Sequence, residues 1–122
     1  MEKDELYLKH ILDAANTIEN YARGLSFDDF LANKLVQDGI IRELEIIGEA
    51  TKNLSQAARN KNLGIPWKNI AGMRDFLVHE YFGVDLEEVW ETITRDLPPL
   101  KDAIQKLLQN KMSLYKVKNL VD

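Results

Sequence analysis

Apolar residues recur along this chain at steps of three and four, the spacing of one face of an α-helix. Leu8, Ile11, Leu12, Ala15, Ile18 and Ala22 form the first such stripe and predict a helix from about Asp4 to Arg23, with Gly24 as its stop. Ser26 followed by Asp29 has the form of an acidic capping box, so Phe27, Phe30 and Leu31 are expected in a short helix or a bent entry. A longer stripe of Leu35, Val36, Ile40, Leu44, Ile47, Leu54 and Ala58 predicts a second long helix that reaches about Asn60. Gly39 and Gly48 each weaken that helix by about 1 kcal/mol relative to alanine, and glycine there often marks close approach of a neighbouring helix.

The clearest interruption is Asn62-Leu63-Gly64-Ile65-Pro66. Gly64 is expected to take the left-handed conformation after a helix end, and Pro66 to open the next helix, running to about His79 or Tyr81. Phe82-Gly83-Val84 reads as a turn, and Asp85 with Glu88 as a second cap that starts a helix through Val89, Trp90, Ile93 and Leu97. Pro98 and Pro99 should kink or break it, because proline removes a donor and crowds the preceding turn. A last helix is expected from Leu100 to about Leu108, followed by a mildly apolar tail, about residues 110–122, that could dock on the rest. No strand-like alternation, internal repeat or low-complexity tract interrupts this reading. The expected fold is all-α, an antiparallel bundle of four or five helices in one domain spanning residues 1–122.

Composition narrows the class of activity. Hydrophobic residues are 45% of the 122, enough for one core in a chain of this size. With no cysteine, disulfides, thiolate metal sites and cysteine nucleophiles are all excluded. The beginning of the sequence carries acids and lacks the apolar stretch of a secretion signal, and no run approaches the ~20 residues of a membrane span, so a cytoplasmic location with no membrane partner is expected. The net charge of −4 argues against capture of nucleic acid by overall charge. An RNA-handling role would need a local basic surface. Residues 59–68 carry Arg59, Lys61 and Lys68 with no acid among them, whereas Asp85, Glu87, Glu88, Glu91 and Asp96 crowd the stretch after residue 84. A partner bearing its own positive patch is equally compatible with that distribution.

Two histidines are available for acid–base work. His10 lies off the apolar face of the first helix and reads as a surface residue. His79 sits in Gly72-Met73-Arg74-Asp75-Phe76-Leu77-Val78-His79-Glu80-Tyr81, near a helix end. Arg74 and Tyr81, seven residues apart, share a helical face, while Arg74 and His79 are separated by about 140° and about 7.5 Å along the axis. They do not meet on an ideal helix, which favours a site completed by a second subunit. A histidine at a helix end also fits a purely structural role, complementing the helix dipole. No His/Cys spacing suited to zinc and no glycine-rich phosphate loop is present. No metal or cofactor is therefore expected. Glu43, Glu45 and Glu49, at helical spacing, are read as a solvated face, and Trp67 and Trp90 as core or interface anchors.

Arg74-x4-His79-x-Tyr81 resembles the signature of the HEPN superfamily in its HepT toxin branch. The resemblance extends to Arg42–Ala50, to the Ile65-Pro66-Trp67 entry into the motif helix and to Asp85-Leu86-Glu87-Glu88-Val89-Trp90, covering roughly residues 4–108. It implies a helical-bundle homodimer acting as a metal-independent ribonuclease with RNA as substrate, in which Arg74 and His79 are the catalytic pair. Asp75 occupies the polar position that often follows the arginine in the family. Tyr81 matches the tyrosine that a cognate nucleotidyltransferase antitoxin of the MntA type modifies with AMP. Two other readings stay open: a non-catalytic HEPN domain that binds a nucleotide or docks the nucleotidyltransferase, and a plain helical adaptor.

Overall fold

The computed structural model describes residues 2–73 and 85–121, with side chains described between residues 3 and 109. Within them the chain forms α1 (Glu2–Ala22), α2 (Phe27–Leu31), α3 (Lys34–Lys52), α4 (Gln56–Asn60), α5 (Trp67–Ala71), α6 (Leu86–Glu91), a widened π-type turn (Thr92–Asp96) and α7 (Leu97–Val121). No strand occurs among the described residues. The expected all-α bundle is what the chain adopts, cut into more segments than apolar periodicity alone implies.

The first stripe does what its spacing dictates. Leu8, Ile11, Ala15 and Ile18 are buried on α1, and they pack chiefly against α3 and secondarily against α7. The inward row of α3 is Ile40, Ile41, Leu44, Ile47 and Ala50. Burying a branched aliphatic side chain contributes about 1.5–3 kcal/mol. The fully enclosed Ile11, Ile18, Ile40, Leu44, Ile47 and Ile104 therefore account for much of what holds α1, α3 and α7 together. Gly39 lies where a helix neighbour comes close: a Cβ there would fall 3.0 Å from the Tyr21 ring of α1.

The corners follow from local hydrogen bonding. Gly24 takes a left-handed φ of 77°, turning the chain out of α1. The Ser26 box closes as expected: Asp29 N–H donates to Ser26 Oγ at 3.1 Å and Ser26 N–H donates to Asp29 Oδ2 at 3.0 Å. Asn33 caps α3, and Gln37 Nε2 donates to the Phe30 and Leu31 carbonyls, locking α2 across its start. Phe30 is fully buried, with its ring 5.2 Å from that of Trp90.

Four local expectations are corrected. The second long helix stops at Lys52 instead of running to Asn60. Asn53 and Ser55 offer the backbone side-chain partners of their own, and Ser55 caps a separate α4 through Ala58 N–H. Leu35, assigned to the inward stripe, is 83% exposed, while its neighbour Val36 in the same turn packs against the core. Gly64 is not left-handed, since Gly24 is the positive-φ glycine among the described residues; the 62–66 turn is instead held by Gly64 N–H donating to Asn62 Oδ1 at 3.0 Å.

The fourth correction concerns Pro98 and Pro99, which neither end the helix nor restart it at Leu100. The chain runs from α6 through the widened turn into α7, which continues to Val121 and so passes the expected end near Leu108. The two prolines fall in the first turn of α7, where a missing N–H costs least. The turn before them opens to an i→i+5 pattern, with Leu97 N–H donating to the Thr92 carbonyl. No helix among the described residues is long and apolar enough to cross a membrane.

Candidate functional site

Arg74, Asp75, His79 and Tyr81, the residues expected to carry chemistry, lie outside the described residues, as does the expected Phe82-Gly83-Val84 turn. The frame on either side of them is well defined.

On the entry side, Ile65 and Trp67 are buried and Pro66 precedes the first residue of α5. Trp67 Nε1 donates to the Arg59 carbonyl at 2.9 Å and to the Asn62 carbonyl at 3.0 Å. The indole thereby ties the start of α5 to the end of α4, and it is a core anchor as its sequence context suggests. Ile70 on that helix and Met73, two residues past its end, are both buried, so the chain before residue 74 is held by packing. On the exit side, Asp85 caps α6 by accepting the Glu88 N–H at 3.1 Å, and Val89 is wholly buried. Both ends of the 74–84 segment are thus pinned by packing and capping.

Those ends meet on one concave surface. Ile65, Ile70 and Met73 line it from the α5 side; Thr92, Arg95, Asp96, Leu100 and Ala103 line it from the widened turn and α7, with Asp85 at its margin. Among the described residues it also carries the cations Lys68 and Arg95 and the acids Asp85, Glu88 and Asp96. The basic stretch expected around residues 59–68 is smaller than its sequence suggests. Arg59 turns back to cap α3, donating to the Thr51 and Lys52 carbonyls at 2.9 and 3.1 Å. Lys61 and Lys68 remain exposed. Arg95 and Asp96 are not marked by apolar periodicity; the signal that could have found them is the Pro98-Pro99 pair, which directly follows the turn that presents them.

The remaining candidates sit elsewhere. His10 is exposed, its ring packed edge-on against Tyr7 at 6.1 Å, in a shallow depression shared with Arg42, Ile46 and Glu49. The acidic row of α3 is only partly a solvated face. Glu45 pairs with Arg42 at 3.0 Å. Glu43 is half-buried, and that burial pushes its carboxyl above the usual range, against a lowering pull from Arg42. Among the described residues no group of three or more histidine, aspartate or glutamate side chains is arranged to hold a metal ion.

Comparison with known proteins agrees with the family resemblance. The family model described as ribonuclease HepT-like matches residues 11–107. A Thermococcus cleftensis protein named "Probable ribonuclease HepT" is 46% identical over 83% of this chain and 92% of its own length. A Caldanaerobacter subterraneus protein named "Putative RNase" is 44% identical over 89% of this chain and 97% of its own length. A third relative, from Methanocaldococcus jannaschii, is named "Gamma-glutamylcyclotransferase and putative RNase" and is 47% identical over 96% of this chain. The chain spans 55% of that relative's length. No solved structure matches. The matched span takes in the helices that frame the concave surface and the motif between them, and on that match the chain belongs to the HepT-like ribonuclease family.

Proposed function

We propose that this chain is a metal-independent endoribonuclease, the toxin of a toxin–antitoxin pair, with Arg74 and His79 as its catalytic residues and Asp75 in a supporting role. The observation that carries the reading is Arg74-x4-His79-x-Tyr81 in a chain matched by the HepT-like ribonuclease model. RNA supplies its own nucleophile, the 2′-hydroxyl, so the protein needs only to move protons and hold charge. An imidazole titrates near neutrality and serves as base or acid. A guanidinium stays charged and grips a phosphate with two parallel hydrogen bonds as negative charge builds on it. One His79 cannot hold both proton-transfer roles in a single step. A homodimer with two motifs facing one another would divide them.

In the same reading, Tyr81 is the control point. Seven residues from Arg74, it shares that residue's face of a regular helix. AMP attached there by a nucleotidyltransferase antitoxin sets a bulky anion beside the phosphate-binding arginine and blocks it by volume and charge.

The test is growth arrest on expression together with cleavage of RNA by the purified protein. Both activities are expected to vanish in Arg74→Ala and His79→Ala, and in protein whose Tyr81 has been modified by the antitoxin. Equal toxicity of the wild type and both variants would remove the enzymatic reading and leave the non-catalytic docking domain in its place.

A further inference from the structure

The Pro98-Pro99 pair has an effect on the surface chemistry of the concave site. From the cap of α6 into α7 the described residues on that surface are Asp85, Glu88, Thr92, Arg95, Asp96, Pro99, Leu100 and Ala103. Arg95 and Asp96 come to this row from the widened Thr92–Asp96 turn, which Pro98 and Pro99, both without an N–H, directly follow.

We infer that Arg95, with Lys68 across the same surface on α5, forms a phosphate-backbone anchor for the RNA strand. This inference rests on the ribonuclease reading. Arg95 reaches its carboxylate neighbour Glu91 only at 4.0 Å, and its side chain is 75% exposed, so solvent and ligand have access to most of its guanidinium. Lys68 is exposed and lines the surface from the opposite element. Both stand on the surface where Met73 and Asp85 begin and end the motif segment. In a chain of net charge −4 an RNA strand has to be held by such local cations. Asp85, Glu88 and Asp96 on the same surface oppose this attraction and keep overall binding weak. Asp85 is partly occupied as the cap of α6.

RNA binding by an uncleaving His79→Ala background, followed with a labelled single-stranded RNA over a salt series, tests the anchor. Lys68→Gln and Arg95→Gln are each expected to weaken binding roughly three- to tenfold. Each should also flatten the dependence of log K on log salt by about 0.7, the slope of one lost phosphate contact on a single strand. Asp96→Asn should tighten binding by about twofold, since it removes a repulsive charge. Lys34→Gln, which changes net charge equally at a remote position ion-paired to Asp38, should leave binding as it was. Thermal melting of each variant separates a folding defect from a lost contact. Unchanged affinity and slope in the Lys68/Arg95 double variant, or an equal loss in Lys34→Gln, overturns the anchor. The ribonuclease reading fails separately, when the unsubstituted protein binds RNA through these cations but never cuts it.

Discussion

Asp4 and Ser55, 51 residues apart, are locked by two hydrogen bonds: Ser55 N–H donates to Asp4 Oδ1 at 2.8 Å, and the Ser55 hydroxyl donates to Oδ2 at 2.6 Å. The same hydroxyl accepts the Ala58 N–H at 3.1 Å, so one serine caps α4 and fastens that corner to α1. Burial by itself would raise the Asp4 carboxyl. The Ser55 hydrogen bonds, with positive charge nearby, more than offset it and hold it at about 2, below the ordinary 3.8.

A carboxyl depressed in the folded state stabilises the fold above its unfolded value and loses that contribution as pH falls. The Asp4 contribution should therefore be complete above about pH 4 and fade between pH 4 and 2. Asp4→Ala is expected to cost about 1–2 kcal/mol at neutral pH, the worth of hydrogen bonds to a charged acceptor. Urea melts of both proteins at pH 7 and pH 3 check this: their difference in stability should shrink at the lower pH.

Trp67→Phe isolates the indole hydrogen bonds from the ring's packing. Loss of the donor leaves the Arg59 and Asn62 carbonyls short of a partner and should destabilise the fold by about 1–2 kcal/mol. Because Trp67 fixes the start of α5, shortly before Arg74 in the chain, RNA cleavage should fall by more than the loss of folded protein explains. Activity measured well below the melting temperature, against circular dichroism, distinguishes the two effects.

Restoring N–H donors by Pro98→Ala with Pro99→Ala should let the widened turn relax to α-helical geometry. The register of Arg95 and Asp96 would then rotate by up to about 100° relative to α7. Thermal stability is expected to change by less than about 1 kcal/mol, because the prolines sit in a first helical turn, while RNA affinity falls about as far as in Arg95→Gln. Affinity equal to that of the unsubstituted chain would show that the turn does not govern Arg95.

Much of this architecture was legible from spacing alone. The rows of α1 and α3, the Gly24 stop, the Ser26 box and the Asp85 cap are all local patterns whose partners lie within four residues. What spacing could not reveal depends on distant partners. Asp4 reaches Ser55 and helps end α3 at Lys52, and Arg59 folds back onto the Thr51 and Lys52 carbonyls, which removes it from the basic surface. The prolines were legible as a disturbance but not as a widened turn, because either outcome relieves the same steric conflict. For the site, the motif itself was read from resemblance; the described structure adds the concave surface that Met73 and Asp85 share, and the cations on it.

The central claim is that Arg74 and His79 cut RNA through its own 2′-hydroxyl. End-group analysis of RNA treated with the purified protein in excess chelator tests it most directly. The expected product carries a 2′,3′-cyclic phosphate and a free 5′-hydroxyl, it is absent with Arg74→Ala or His79→Ala, and a substrate with 2′-deoxy substitution at the cleavage site stays intact. Cleavage of that deoxy substrate, a 5′-phosphate product, or full activity in the His79→Ala protein would contradict it.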